Sequence, residues 1–246
     1  MATITVAGQK GGIGKSLLSV TLTQYLSEKK GRRCLFVPLD NQGGTAKRAF
    51  SLKPVRPVNG MFTGDDYDIQ HVTDLIDSLY SDRLIHNIDK LDTSSSQLFV
   101  SEISKLKPFY DDIIIDTPPG VCPRITAAIL AADKIVVPIE CEISAVEGMI
   151  ELNDTIKKLA FINTKAKINA IVINKYKPTV RQKKYLNYLI GKFKSEVITE
   201  TIGDLEPIRT KSGAGIPIWK HAKTGNERHA SKVVQTVMSR IVEMVI

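Results

Sequence analysis

Apolar residues fall into two rhythms along this 246-residue chain. Short runs rich in β-branched residues alternate with stretches in which apolar residues recur every three or four positions. The first rhythm predicts buried strands and the second amphipathic helices. Residues 3–6 form the first strand. A helix follows, with Leu18, Leu22, Tyr25 and Leu26 on one face. It closes near Lys29-Lys30-Gly31, where cations meet the negative helix end and glycine permits the stop. Cys34-Leu35-Phe36-Val37-Pro38-Leu39 reads as a second buried strand. Residues 51–71 are the least patterned, and Pro54, Pro57, Asn59-Gly60 and Gly64-Asp65-Asp66 predict a surface excursion there. Helical spacing returns at 72–80 and 96–107, with a short strand near 84–88 between them. Further strands are predicted at 112–116, 134–138 and 168–174, and further helices at 144–161 and 226–246. Strands that alternate with helices predict one α/β domain over 1–246, a doubly wound, mostly parallel twisted sheet with helices on both faces.

Composition narrows this picture only slightly. The apolar share of 43% suits a packed core. No run approaches the length that spans a bilayer, and no charged-then-apolar leader opens the chain, so a cytoplasmic protein is expected. The three cysteines, Cys34, Cys122 and Cys141, lack metal-ligand spacing. Cys34 and Cys141 sit in or beside strand-like runs and read as packing residues.

Charge changes the picture more. The net charge is +8, yet residues 1–150 hold 16 Lys and Arg against 18 Asp and Glu. Residues 151–246 hold 18 against 8, so the whole excess is C-terminal. Between Lys157 and Lys194 there are eleven basic residues and no acidic one. Apolar positions are interleaved with these, so the segment folds and is not a tail. Arg181, Lys183, Lys184 and Lys192 share one helical pattern, and Arg209, Lys211 and Arg228 follow.

The chemistry centres on Gly8-Gln9-Lys10-Gly11-Gly12-Ile13-Gly14-Lys15-Ser16, between the first strand and the first helix. Strand, glycine loop and helix in that order make a phosphate-binding loop. Glycines let the backbone curve around an anion, and the N–H groups of the loop and helix start point at it. Gly11, Gly12, Ile13, Gly14, Lys15, Ser16 and Leu17 are the candidate nucleotide-binding residues. Lys15 would reach the terminal phosphates, and the Ser16 hydroxyl would hold Mg²⁺. Asp112-Ile113-Ile114-Ile115-Asp116 is an apolar strand closing on an acid, which makes Asp116 the second candidate Mg²⁺ ligand. Asp40, at the end of the second strand, is where a water-orienting carboxylate is needed; a helix N-cap is its other reading.

The Lys-Gly-Gly-x-Gly-Lys-Ser loop, with Gln9 where a standard loop has glycine, resembles the deviant Walker A loop of the ParA/MinD family of ATPases. The resemblance runs over about residues 3–220 and is anchored by four motifs in order. It implies a P-loop NTPase fold, ATP and Mg²⁺ as ligands, and weak intrinsic ATP hydrolysis. It implies that Lys10 is the signature lysine, reaching the nucleotide of a partner subunit in an ATP-dependent homodimer. Lys10, Lys15 and Asp40 are then the catalytic set. Asp40-Asn41-Gln42 matches the second half of the family's Asp-x-Asp-Pro-Gln, with Pro38 and Asn41 as departures. Asp116-Thr117-Pro118-Pro119-Gly120 matches the switch-like loop of ParA proteins. Asn174 occupies the base-reading position, although a turn asparagine is its other reading, and Pro207 would flank the base.

Short ParA-type partition proteins, with no helix-turn-helix ahead of the loop, fit best. That implies nucleoid association, non-specific binding of double-stranded DNA, and a centromere-binding partition protein as partner. Arg181, Lys183, Lys184, Lys192, Arg209, Lys211 and Arg228 are the candidate DNA contacts. Two rivals share the ATPase: a MinD-like membrane switch, and a relative serving conjugation or cargo positioning. The last helix lacks Trp and Phe and is only weakly basic, so it reads as packed on the core rather than inserted in a membrane.

Overall fold

The computed structural model describes residues 1–41 and 44–246. Gln42 lies outside the described residues. The strands are β1 Ala2–Val6, β2 Cys34–Pro38, β3 Ile69–Thr73, β4 Ile76–Leu79, β5 Asp112–Asp116, β6 Lys134–Ile139, β7 Ile168–Ile173 and β8 Val197–Ile198. The helices are α1 Lys15–Lys30, α2 Thr45–Ala49, α3 Gly60–Thr63, α4 Ser94–Leu106, α5 Pro123–Ala131, α6 Ile143–Leu159, α7 Val180–Phe193, α8 Glu206–Gly213 and α9 Gly225–Val245. One eight-stranded sheet runs β3-β4-β2-β5-β1-β6-β7-β8. Every pairing is parallel except β3 with β4.

Strand alternation feeds two faces. On one, Ile4, Ile114, Val136 and Val172 meet Leu22 and Leu26 of α1 and Val237 and Ile241 of α9. On the other, Ile113 and Ile115 meet Phe62 and Phe99 on one flank, while Ile135, Val137 and Ile171 meet Ile129 and Met149 on the other. A parallel strand buried on both faces is apolar throughout, which is why the central strands are legible as unbroken runs. Gly31 ends α1 with φ +65°, its N–H bonded to the carbonyls of Leu26 and Ser27. Cys34 and Cys141 are buried, as expected of packing residues.

Three segments differ from expectation. Residues 72–80 form the end of β3, the turn and β4 of a hairpin, not a helix. The free edge of β2 recruits β4 in parallel, and that pairing outweighs the local helical spacing. Asp77 of β4 is buried, and Tyr110, Arg33 and His71 supply its partners. Residues 84–88 belong to a 3₁₀ turn, Arg83–Lys90, rather than a strand. Asp82 caps it by accepting the Leu84 N–H at 2.9 Å. Ile85 and Ile88, three positions apart, both enter the core, as the three-residue repeat of that helix requires. Residues 51–71 are less of a surface excursion than their turn chemistry implies, because Val58, Met61 and Phe62 are buried.

Helix α9 opens on a capping box between Thr224 and Glu227. Its apolar face, Val234, Val237, Met238, Ile241 and Val245, is buried. Among the described residues, no helix is long and apolar enough to cross a membrane.

The rings of Phe62 and Phe99 stack at 4.6 Å and pin the segment of residues 51–71 to α4. Phe99→Ala is expected to cost about 3–5 kcal/mol. Urea unfolding with an unchanged midpoint would show that this segment is not part of the cooperative core.

Candidate functional site

The strands β1, β2 and β5 all end at one rim, and three loops meet there. Gly11, Gly12, Gly14, Lys15, Ser16 and Leu17 line an open cavity with Asp40, Thr45 and Pro119. Ser16, Asp40 and Asp116 also line a neighbouring recess with Asn41 and Tyr80. The sequence-predicted P-loop, Asp40 and Asp116 are therefore brought together.

The loop is shaped by positions that only glycine fills. Gly12 and Gly14 have φ of +78° and +94°. A Cβ on Gly14 would also lie 2.2 Å from the Asn174 amide nitrogen. That amide donates to the Ile13 carbonyl at 2.8 Å, so Asn174 ties the end of β7 to the loop. Ile13 itself is buried, with its side chain filling the space beside Gly8.

Lys15 is buried in the loop and donates to the Lys10 carbonyl at 3.0 Å. Burial lowers its ammonium below the usual lysine range, and the Asp116 and Asp40 carboxylates pull it back up. Asp116 is fully buried at the end of β5. Burial pushes its carboxyl up to about 7, against hydrogen bonds from Ser16 and Ser19 that favour the ion. The N-cap of α2 is Gly44, so Asp40 is not the cap of that helix. Its carboxylate acts on both Lys15 and Asp116. A buried lysine, a hydroxyl at the helix start and a buried carboxylate are the donors that a magnesium triphosphate needs, and the positive-φ glycines leave room for its oxygens.

Lys10 lies outside this pocket. Its ammonium donates to Ser144 at 2.9 Å and to Glu142 at 3.3 Å, and the side chain is 40% exposed. Pro207 stands in the first turn of α8. Its neighbour Ile208 shares an apolar recess with Gly14, Leu17 and Asn174. On α7, Arg181, Lys183, Lys184 and Lys192 are exposed, and no ion pair to any of them is found among the described residues. Arg228 is likewise exposed.

Lys211 corrects the sequence reading. It is buried, and its ammonium donates to the carbonyls of Ile218 and Lys220, so it holds the 218–220 turn and is unavailable to a ligand. Arg209 is exposed, but Asp204 and Glu206 offset its charge.

Sequence reasoning missed two site neighbours. Ser19 bonds to Asp116 at 3.1 Å; its signal was a polar residue on a buried helix face one turn after Ser16. Lys175 donates to the Gly12 carbonyl at 2.6 Å and pairs with Glu140. Its φ of +50° brings it back over the loop, which no sequence pattern announces.

A family model described as an AAA domain, AAA_31, matches residues 1–169. The chain belongs to this family. It is a ParA/MinD-family ATPase. It is 26% identical over 247 residues to the chromosome-partitioning ATPase Soj of Thermus thermophilus, covering 98% of this chain and 96% of Soj. It is 27% identical over 242 residues to protein IncC of Escherichia coli, covering 95% and 67%. Among solved structures, McdA of Cyanothece in complex with ATP superposes with a TM-score of 0.85 at 17% identity, covering 98% and 96%. That likeness supports the fold of this ATPase.

The Asp116 carboxyl titrates near ~3.9 in an unfolded chain and at about 7 here. The folded ATPase therefore keeps a proton that the unfolded chain loses, and this group makes stability fall as pH rises between those values. In nucleotide-free protein, acidification from pH 8 to 5.5 is expected to raise the melting temperature more for wild type than for Asp116→Asn. Equal gains would remove the buried-carboxylate account.

Proposed function

We propose that this ATPase is a ParA-type partition switch, which binds ATP and Mg²⁺, pairs with a second copy, and binds DNA without reading its sequence. One observation carries the reading. The loop holds two lysines in opposite settings, Lys15 buried in the phosphate cradle and Lys10 half-exposed on its rim. A single nucleotide pocket needs only the first. A second lysine, on a side chain long enough to cross a gap, suits a neighbour's triphosphate, where two facing anions repel.

In this reading the N–H groups of residues 11–17 and Lys15 hold the phosphates, and Ser16 and Asp116 hold Mg²⁺. The ion would spread the charge of the phosphate oxygens, while Asp40 orients the attacking water. Asn174, Pro207 and their apolar neighbours form the side on which a base would lie; the Asn174 amide keeps its carbonyl for that role, since its nitrogen is engaged with Ile13. Soj is a chromosome-partitioning ATPase by name, which supports a cargo of DNA. The exposed lysines and arginine of α7, with Arg228, supply a phosphate-binding face. A centromere-bound partner protein would stimulate hydrolysis and release the dimer. Nothing on α9 favours a membrane cargo, because its apolar side is already covered.

Lys15→Ala is expected to abolish ATP binding, whereas Lys10→Ala should keep binding and lose ATP-dependent dimerisation and partner-stimulated turnover. Normal dimerisation by Lys10→Ala would overturn the two-lysine reading. If about four phosphates are neutralised, DNA affinity should fall roughly a hundredfold between 50 and 200 mM salt, and only with ATP present. Lys183→Glu with Lys184→Glu should flatten that slope. A salt-independent signal would remove DNA as the cargo.

A further inference from the structure

Helix α5 starts immediately after the switch-like loop of residues 117–122 and carries one charged residue, Arg124, in an otherwise apolar turn. Arg124 is 3% exposed. Its guanidinium forks onto Asp89, with Nε at 2.9 Å and Nη2 at 2.6 Å from the two carboxylate oxygens. Nη2 also meets His86 Nδ1 at 3.2 Å. Its remaining nitrogen, Nη1, donates to the carbonyl of Leu39 at 2.7 Å, the residue before Asp40. The N–H of Leu39 is fixed as well, donating to the Asp116 carbonyl at 2.8 Å.

A buried arginine is costly to hold, and a pair of apolar residues would fill such a site at less cost. Here the fork onto Asp89 leaves the Nη1 nitrogen to donate elsewhere, and it is aimed at the carbonyl of Leu39, the residue just past the end of β2. The anchors of that donor lie on the 3₁₀ turn of residues 83–90 and on α5, while its target lies at the end of β2. The loop of residues 117–122 is tied to the phosphate loop in turn, Gly120 N–H donating to the Gln9 carbonyl at 2.7 Å.

We propose that Arg124 is a positioning residue for ATP hydrolysis, holding the carbonyl of the Leu39–Asp40 peptide while Asp116 holds the Leu39 N–H, so that the Asp40 carboxylate faces the phosphate cradle. It does so through the backbone and touches neither nucleotide nor water. Asp89 orients the guanidinium, so the two residues act as one unit. This inference rests on the reading of Asp40 as the water-orienting group.

The same geometry separates hydrolysis from binding. Among the described residues, the hydrogen bonds and ion pair of Arg124 go to Leu39, His86 and Asp89 and not to residues 11–17, so its loss should leave nucleotide affinity intact. Misplacement of a reacting group by an ångström costs roughly a hundredfold in rate. Removing Arg124 alone would strand the Asp89 carboxylate in a half-buried site, so a variant that removes both charges is needed.

The experiment compares Arg124→Lys, the double variant Arg124→Met with Asp89→Leu, and each of these combined with Asp40→Asn. ATP affinity, steady-state turnover, melting temperature and amide exchange across residues 36–41 are measured on the full chain. The expected result is unchanged ATP affinity, a kcat roughly ten- to a hundredfold lower in the double variant, and faster exchange across 36–41. Arg124→Lys, which keeps one donor for Leu39, should recover part of the rate. In the Asp40→Asn background, loss of Arg124 should cost nothing further. A folded double variant with wild-type kcat, or an equal further loss on top of Asp40→Asn, would overturn the positioning role while leaving Asp40 in place. Full turnover by Asp40→Asn alone would instead overturn the reading of Asp40, and this inference with it.

Discussion

The site depends on burying opposite charges against one another. Lys15 and Asp116 lie inside the fold, close enough that each carboxylate lifts the lysine and the lysine lowers the carboxylate. Burial works against both charges, and the hydroxyls of Ser16 and Ser19 on Asp116 and the Lys10 carbonyl on Lys15 are partial remedies. In the proposed reading, Lys15 and Asp116 would find their missing partners in a bound magnesium triphosphate. The backbone there leaves no room for side chains: Gly14 combines a left-handed conformation with the close approach of the Asn174 amide.

How much of this was legible follows from what each residue answers to. The loop, Asp40 and Asp116 were readable because strand, glycine loop and closing acid are local in sequence, and the chemistry constrains residue type at fixed spacing. The central strands were readable because burial on both faces leaves an unbroken apolar run. The hairpin of β3 and β4 was not, since residues 72–80 carry an apolar spacing that suits a helix equally well, and only the waiting edge of β2 decides the outcome. The 3₁₀ turn at 83–90 hid for a similar reason: two isoleucines three apart fit a short strand or a tight helix.

Side-chain roles were harder than positions. Lys211 and Lys183 look alike in sequence, a lysine in a basic helix. One is spent inside the protein on two carbonyls and the other is exposed. The difference lies in the 218–220 turn, which folds back over α8 from outside the motif. Lys175 and Arg124 likewise serve backbone carbonyls far along the chain, and a sequence does not mark which carbonyls lack a donor.

The margins of the sheet have a consequence for how copies of this chain can meet. At one side, β8 is only two residues long. At the other, β3 runs against the rest, has five residues, and leaves Ile69, His71 and Thr73 exposed on one face while Gln70 and Val72 are half-buried on the other. Neither offers a long flat ladder onto which another strand could be zipped. Open-ended growth through shared backbone pairing is therefore discouraged from both directions, and the pairing of two copies proposed above would fall to side chains and bound ligand, contacts that can be made and dissolved on cue.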